Sequence, residues 1–335
     1  MKSNKKVLII APSWIGDLII AHSLFKELKL KDKNVIIDLV IRSYLKPIAD
    51  MMPEINKKHI LDIPHGSLGL LDRYYLSRKI KLEKYNQAFI LTNSFKAAII
   101  PWLAKIPIRV GYVGEMRYGV INKIHKEKRF EKSMVNRFLK LNESIYQESI
   151  APKLSLNKEK LQKIINKFGI EKNNKIIVLC PEAEYGEAKR WPIEKWCELA
   201  ITFSKKNYKV YFLGKHEHTK SYINKKIIKS PNIISLITKT SVEEAIYLLA
   251  SSNLVVTNDS GLMHVAASVG TKIVAIFGSS SPQYTAPLLK ERDHKIMYSN
   301  LSCSPCFKRT CPLKHLNCLT SISSEEVATK ASHLL

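Results

Sequence analysis

The chain has 335 residues, 45% of them hydrophobic, and its 54 Lys and Arg against 29 Asp and Glu give a formal net charge of +25 at pH 7. That length predicts two domains of ordinary size, and because no apolar run approaches ~20 residues and no signal-peptide pattern is visible, we expect a cytoplasmic protein without a membrane span. The basic residues are spread along the chain without an RNP-type aromatic run or zinc-finger spacing, so we expect no nucleic-acid partner, whereas a solvated surface and attraction to an anionic substrate or membrane both stay open.

Strand-like and helical segments alternate along both halves of the sequence. Short apolar, β-branched runs are followed by apolar residues at helical spacing, which is typical of parallel sheets covered by helices. Residues 122–174 are charged and strand-poor and are predicted to be helical, so the domain boundary is placed between residues 165 and 166. Two Rossmann-like domains suit an enzyme with two substrates. The predicted strands are 7–10, 35–41, 88–91, 176–180, 210–213, 254–257 and 273–277.

The stretch APSWIGDLIIAHSLFKEL, residues 11–28, directly follows the first predicted strand. Its apolar residues repeat at helical spacing, so Asp17 would open a helix at the carboxyl edge of the sheet. Asp is a preferred helix N-cap, which is the simplest explanation. The alternative is catalytic, because ligands of open α/β sheets bind at this edge and a carboxylate there can accept a proton from a substrate.

Two further stretches carry polar residues behind strands of the second half. In CPEAEYGEAKRWPIEKWCELA, Lys189 and Arg190 lie on a loop where two cations could neutralise a diphosphate or simply be solvated, and Trp191 is predicted to pack in the core. In LVVTNDSGLMHVAASVGTKIVAIFG, a helix is predicted to start at residues 258–260, where its free N–H groups and dipole favour an anion. Asp259 could be only a helix cap, and His264 only a helix-face histidine.

Neither of the common nucleotide-binding motifs is present. No G-x-G-x-x-G follows the first strand, and no G-x-x-x-x-G-K-[ST] occurs anywhere, which disfavours an NAD-dependent dehydrogenase or a P-loop kinase.

Four blocks together resemble the lipopolysaccharide heptosyltransferases of glycosyltransferase family 9. They are PSWIGDLIIAHSL, CPEAEYGEAKRWP, NDSGLMHVAA and FGSSSPQYTAPL, and Trp14 together with SSSPQYTAPL favours the type II branch over type I. The resemblance implies an α/β GT-B fold, in which two Rossmann-like domains carry parallel sheets facing a central cleft. It further implies that residues 1–165 bind the acceptor and that residues 166–335 bind ADP-heptose.

The resemblance also implies an activity and a set of site residues. The expected reaction moves L-glycero-D-manno-heptose from ADP-heptose to the first heptose of the lipopolysaccharide inner core, with inversion at the anomeric carbon. The acceptor would be of the heptosyl-Kdo2-lipid A type, on the cytoplasmic face of the inner membrane, and neither a cofactor nor a metal is expected. Asp17 matches the catalytic carboxylate, Lys189 a phosphate-contacting lysine, and Glu217 an acidic residue that holds the adenosine ribose. The remaining donor-binding positions are Asp259, Ser260, Gly261, Leu262 and His264.

The cysteines form two groups. Cys180 and Cys197 are predicted to be isolated core residues, whereas Cys303, Cys306, Cys311 and Cys318 form C-x2-C-x4-C-x6-C. This spacing is not a standard zinc pattern, so structural zinc, a redox-labile pair and reduced packing thiols all stay open. Three rival functions also stay open: another family 9 transferase, a nucleotide-sugar epimerase of the same architecture, and a nucleic-acid-binding protein.

One basic segment of the first half is a candidate for loose membrane docking. Basic residues near an anionic surface attract it, and neighbouring apolar and aromatic residues add contact, although an ordinary surface helix explains the pattern equally well. The residues are Lys79, Lys81 and Lys84, beside Leu68, Leu70, Leu71, Tyr74 and Tyr75.

Overall fold

A computed structural model describes residues 4–64, 66–126, 133–171, 175–227 and 230–335. The chain divides into two compact units, residues 1–154 and 155–335. The helix Lys158–Lys167 packs against a helix of the second unit, and the predicted boundary between residues 165 and 166 lies within it. Among the described residues, no helix combines the length and the apolar character needed to cross a bilayer.

The first unit is built on a six-stranded sheet in which every neighbouring pair is parallel, in the order β3-β2-β1-β4-β5-β6. In the register of the central strands, Val7 lies opposite both Ile37 and Gln87. The elements are β1 Lys6–Ile10, α1 Ile15–Lys31, β2 Ile36–Ile41, α2 Lys46–Asp50, β3 Ile55–Ile60, α3 Leu70–Leu82, β4 Gln87–Ile90, α4 Phe95–Leu103, β5 Ile108–Tyr112, β6 Lys123–His125 and α5 Met134–Lys140.

The second unit repeats this arrangement with a six-stranded parallel sheet in the order β12-β11-β10-β7-β8-β9. Its elements are α6 Lys158–Lys167, β7 Ile176–Cys180, α7 Ile193–Lys205, β8 Lys209–Phe212, α8 Glu217–Lys226, β9 Ile233–Ser235, α9 Val242–Ala250, β10 Leu254–Asn258, α10 Gly261–Ser268, β11 Ile273–Phe277, α11 Pro282–Thr285, β12 His294–Tyr298, α12 Asn317–Thr320 and α13 Ser324–Ser332.

The central strands are apolar on both faces because helices cover both sides of each sheet. Every residue of β7, β10 and β11 is buried, as is usual for parallel strands of this kind. Trp191 and Trp196 pack edge to face in the core of the second unit, with ring centroids 5.1 Å apart. Cys180 and Cys197 are buried there, so both core predictions for these cysteines and for Trp191 are confirmed.

Two predicted helix starts are wrong by a few residues. The helix α1 has Trp14 at its N-cap position, so Asp17 is the third helical residue and does not occupy the N-cap. The helix α10 begins at Gly261 with Ser260 at the N-cap position, and Asn258 is still the last residue of β10. The simple capping explanation therefore fails for Asp17 and for Asp259.

Candidate functional site

The first unit places Asp17 at the topological switch point of its sheet. The strand order reverses between β1 and β4, and in open α/β sheets a crevice for ligands forms outside the carboxyl ends of such a strand pair. Asp17 lies in the first turn of α1, directly after β1, where the helix dipole favours a negative charge. The side chain is partly exposed, so a ligand at this edge can reach the carboxylate.

Charged and polar residues that follow β2 and β3 surround the same edge. The Tyr44 hydroxyl donates to the carbonyl oxygen of Ser13, in the loop that leads into α1. Burial raises the pKa of Tyr44 above its ordinary value, the positive charge of Arg42 opposes this, and the negative charges of Asp17 and Asp62 reinforce it. Tyr44 therefore lies within the electrostatic influence of Asp17, Arg42 and Asp62 at this edge.

The second unit holds a buried ion pair at its own switch point. Lys189 follows β7 and Asp259 follows β10, the two strands between which the strand order reverses. Lys189 Nζ lies 2.5 Å from Asp259 Oδ2, and the side chains are 15% and 3% exposed. Removing one partner of such a pair leaves an uncompensated charge away from water, so the two residues depend strongly on each other.

Hydroxyl groups from behind β11 complete the coordination of Asp259. The Ser280 hydroxyl donates to Asp259 Oδ2, and Thr285 Oγ1 lies 3.3 Å from the same oxygen. The cluster thus combines residues that follow three neighbouring strands: Ser280 after β11, Asp259 after β10 and Lys189 after β7. Ser280 and Thr285 lie within the SSSPQYTAPL block, but no role is predicted for them from the sequence. The sequence feature that could have indicated them is the run of hydroxyl residues directly after β11, the strand next to β10.

The start of α10 adjoins this ion pair. Ser260 is at the N-cap position without a side-chain capping bond, and its hydroxyl lies 3.3 Å from Thr257 Oγ1. Gly261 and Leu262 are the first two helical residues, and N–H groups at such positions have no intrahelical acceptor. Free N–H groups, the positive end of the helix dipole and the Lys189 ammonium together form an arrangement suited to a phosphate group.

His264 lies one turn further along α10 and is 5% exposed. Burial lowers its pKa to about 4, while the charge of Asp259 raises the pKa and that of Lys189 lowers it. The imidazole is therefore neutral at pH 7. It cannot supply a second positive charge to a bound anion at that pH.

The segment that contains the four clustered cysteines braces the Lys189 loop. The Ala188 N–H donates to the carbonyl oxygen of Arg309 at 3.0 Å, and the Tyr185 hydroxyl donates to that of Phe307 at 2.7 Å. A Cβ on Gly186 would lie 2.3 Å from the Arg309 carbonyl oxygen, so this close approach requires glycine. The cysteine spacing, which is the prominent sequence feature of this segment, does not predict these backbone contacts.

Two cations lie over the ring of Tyr185. Lys189 Nζ is 5.0 Å from the ring centroid, and the Arg309 guanidinium carbon is 5.4 Å from it. Arg309 is exposed, and it is a third basic side chain near the cluster besides Lys189 and Arg190. No sequence motif predicts a role for Arg309.

Glu217 is only loosely connected to this cluster. It is the first residue of α8, behind β8, and its side chain is 72% exposed and pairs with Lys220 at 3.1 Å. The hydrogen bond from Lys220 holds the pKa of Glu217 below its ordinary value. Glu217 thus lies at the carboxyl edge of the same sheet, but its described contacts do not include the Lys189–Asp259 pair.

A second polar cluster lies on the loops that follow β7 and β8. The carboxylate groups of Glu182 and Glu184 and the imidazole of His216 have potential ligand atoms within 4.8 Å of one another. Among the described residues, no other three His, Cys, Asp or Glu side chains are grouped this closely. Glu182 accepts hydrogen bonds from the backbone N–H groups of Lys215 and His216. These contacts join the two loops. The four C-terminal cysteines, all of which are described, form no disulfide and no such group.

Fold and site together define a glycosyltransferase of the GT-B class. The family model "Glycosyltransferase family 9 (heptosyltransferase)" matches residues 73–317. The chain therefore belongs to glycosyltransferase family 9, and the family and fold that the sequence motifs predict are confirmed.

Characterised relatives are similar over most of the chain. The Escherichia coli lipopolysaccharide heptosyltransferase 2 is 33% identical over 299 residues, which are 84% of this chain and 85% of the relative. The Haemophilus influenzae lipooligosaccharide heptosyltransferase 2 is 36% identical over 300 residues, 84% of this chain and 86% of the relative. The solved structure of E. coli ADP-heptose lipopolysaccharide heptosyltransferase II aligns with a TM-score of 0.85 at 28% identity and covers 98% of both chains. These similarities confirm the predicted resemblance to the type II branch.

Proposed function

We propose that this enzyme transfers L-glycero-D-manno-heptose from ADP-heptose to the first heptose of the lipopolysaccharide inner core, on an acceptor of the heptosyl-Kdo2-lipid A type. The observation that carries the proposal is the buried Lys189–Asp259 pair beside the free N-terminus of α10, at the switch point of the second sheet. The similarity to a lipopolysaccharide heptosyltransferase 2 and to an ADP-heptose lipopolysaccharide heptosyltransferase II supports ADP-heptose as the donor and lipopolysaccharide as the acceptor class.

The second unit carries the donor-binding role in this proposal. As the bond between the anomeric carbon and the diphosphate oxygen breaks, negative charge grows on the diphosphate. Lys189 and the N–H groups of Gly261 and Leu262 stabilise that charge, and preorganised donors of this kind are each worth about 3 kcal/mol of barrier. Asp259 is itself negative, so its role is to hold the Lys189 ammonium in place, together with the Ser280 hydroxyl.

The first unit carries the acceptor-binding role, with Asp17 as the general base. The acceptor hydroxyl oxygen forms the new bond to the anomeric carbon while its proton moves to the Asp17 carboxylate. The electron pair of the breaking bond stays on the β-phosphate oxygen of ADP. Attack opposite the leaving group inverts the anomeric configuration. The partly exposed carboxylate of Asp17, directly behind the central strand β1, supports this role.

A transfer assay with two acceptors tests the proposed reaction. The enzyme is incubated with ADP-heptose and either a deacylated heptosyl-Kdo2 acceptor or the matched Kdo2 acceptor that lacks the heptose, and the products are identified by mass spectrometry. We expect one heptose to be added to the first acceptor and none to the second. Transfer only to the second acceptor, or an isomerised sugar nucleotide in the absence of any acceptor, would contradict the proposal.

The proposal includes peripheral contact with the cytoplasmic face of the inner membrane, through a surface on α3. This α3 surface exposes apolar and aromatic side chains beside three exposed lysines, and each basic residue near an anionic bilayer contributes about 1 kcal/mol. Its members are Leu68, Leu70, Leu71, Tyr74, Tyr75, Lys79, Lys81 and Lys84.

Sedimentation with anionic vesicles tests the α3 surface. Changing Lys79, Lys81 and Lys84 together to Glu should abolish low-salt binding, and high salt should release the wild type. The matched control changes Lys205, Lys225 and Lys226 of the second unit to Glu, which alters the net charge equally. Equal loss in both triple variants would assign the binding to net charge and contradict a role for α3.

A further inference from the structure

Arg42 and Arg73 of the first unit form no ion pair with any carboxylate of the described residues. Arg42 follows β2 directly, is half-buried, and its guanidinium makes no hydrogen bond or ion pair with the part of the chain that the structure describes. Arg73 lies on α3 and is only 7% exposed. Its Nε donates to the Leu68 carbonyl oxygen at 2.8 Å, but within the described residues its two terminal nitrogens have no partner.

The loops behind β2 and β3 bring these arginines to one edge of the sheet. The Leu61 N–H donates to the Ile41 carbonyl oxygen at 2.9 Å, and the Ser43 N–H donates to Asp62 Oδ1 at 2.9 Å. The chain then passes Gly69, where a Cβ would lie 2.6 Å from the Ile63 side chain, so the start of α3 is packed directly on the loop behind β3. Arg42 and Arg73 are therefore carried by segments that both contact the loop after β3.

The like charges of Arg42 and Arg73 oppose each other at this edge. Burial and then the like charge of Arg42 hold the pKa of Arg73 below its ordinary value, and the charge of Asp72 only partly compensates. Asp62 uses one oxygen on the Ser43 N–H and forms no ion pair with either arginine. The Arg73 side chain is largely buried, its terminal nitrogens have no partner among the described residues, and a planar fork of this kind matches a carboxylate or phosphate.

We propose that Arg42 and Arg73 form a binding site for an oxyanion, a carboxylate or a phosphate group, carried by the acceptor substrate. The inference rests on the proposed function and extends it, since it assigns a second anion site in the first unit. Tyr44, which is influenced by the charges of both Arg42 and Asp17, links this site to the proposed base. An anionic group held here would orient the acceptor while its hydroxyl lies at Asp17.

Kinetics with Arg42→Gln separate this role from a structural one. With the deacylated acceptor, we expect the acceptor KM to rise about ten-fold or more, the scale of lost charge-assisted hydrogen bonds, while the KM for ADP-heptose and the melting temperature stay near wild type. Arg78→Gln, which removes an exposed arginine of the same helix, is the matched control and should change neither KM. Arg73→Lys keeps the charge but loses the fork, and should raise the acceptor KM without unfolding the protein.

Modified acceptors identify the source of the oxyanion. An acceptor whose Kdo carboxylates are esterified and another whose phosphates are removed are compared in wild type and Arg42→Gln. Removing the anionic group that binds Arg42 and Arg73 should raise the acceptor KM of the wild type and leave the acceptor KM of Arg42→Gln unchanged. An unchanged acceptor KM in Arg42→Gln, or an equal effect of both modifications on both proteins, would overturn the proposal.

A binding measurement keeps this inference separate from the proposed function. Inorganic phosphate is titrated into protein saturated with ADP, and the melting temperature is followed. We expect phosphate to stabilise the wild type and Arg78→Gln but not Arg42→Gln. If heptose transfer fails yet this pattern holds, the oxyanion site stands and the proposed reaction falls. If phosphate stabilises all three proteins equally, or none of them, the site is overturned whatever the transfer assay shows.

Discussion

The switch points of the two sheets have the same topology but opposite electrostatic character. In the second unit, Asp259 is nearly inaccessible and its charge is matched by Lys189 and by hydroxyl groups. In the first unit, Asp17 is partly exposed, and the nearby Arg42 and Arg73 have no carboxylate partner in the described chain. A site organised before its ligand arrives suits a constant group such as a diphosphate. A site with unmatched charges depends on its ligand to complete it.

The largest expected effect comes from breaking the matched pair. Lys189→Ala leaves the Asp259 carboxylate buried without a cation, which should destabilise the protein by about 3–5 kcal/mol and also weaken donor binding and turnover. Chemical denaturation and steady-state kinetics measure the two effects. The double variant Lys189→Met with Asp259→Asn should regain much of the stability but none of the activity. Wild-type donor affinity and turnover in Lys189→Ala would remove this lysine from the donor site.

The corresponding change in the first unit should affect chemistry alone. Asp17→Asn keeps the size of the side chain but removes the proton acceptor, so turnover should fall at least ~100-fold with ADP affinity and melting temperature nearly unchanged. Single-turnover kinetics and calorimetric titration with ADP provide the two measurements. Turnover that survives this substitution would rule out Asp17 as the general base.

The stability of the second unit should depend on pH through His264. Its pKa is about 4 in the folded protein, below the ordinary value of 6.5, so the unfolded chain binds the proton more readily. Stability is therefore complete well above pH 6.5 and is lost as the pH falls toward 4, by about 2 kcal/mol between pH 7 and 5. Denaturation at pH 7 and pH 5 should show this loss in the wild type and a reduced one in His264→Gln. Identical pH dependence in both proteins would exclude His264 as its source.

The smallest effect is expected at Arg309. Its backbone carbonyl holds the Lys189 loop and is kept in Arg309→Ala, so only the guanidinium over Tyr185 is lost. We expect a several-fold increase in the KM for ADP-heptose and no change in stability, since an exposed cation over an aromatic ring contributes only about 0.5–1 kcal/mol. Lys308→Ala, the neighbouring exposed basic residue, is the control. A comparable KM increase in that control would indicate general electrostatics instead.

The sequence predicts the central strands well because they are continuous apolar runs. The edge strands were missed for the opposite reason. The strand β3 has the sequence INKKHI, with Lys57 in the middle and only its two Ile as aliphatic residues, and β6 has three residues of which two are Lys123 and His125. Such strands are specified by pairing with a neighbour, which a local hydrophobic pattern does not reveal.

The candidate site was predictable in part: local patterns indicate which residues follow the central strands, but not which of those residues contact each other. Lys189 and Asp259 follow strands that had been predicted, and the shared edge of a parallel sheet brings their segments together. Their direct pairing and the hydroxyl of Ser280 depend on the strand order, which local patterns leave open. Arg42 and Arg73 belong to no motif. Their guanidinium groups form no ion pair with a described carboxylate, and that becomes visible only when the folded surroundings are known.

The bracing of the Lys189 loop has a consequence for the order in which the ribosome makes the chain. The loop is held by the carbonyl oxygens of Phe307 and Arg309, and the Trp191 indole N–H donates to the carbonyl oxygen of Ile322. The first unit consists of residues that leave the ribosome early, so its core can form while the rest is being translated. The donor loop cannot be fixed until more than a hundred further residues have followed it. A nascent chain should therefore become competent to bind the sugar nucleotide only in the last stage of synthesis.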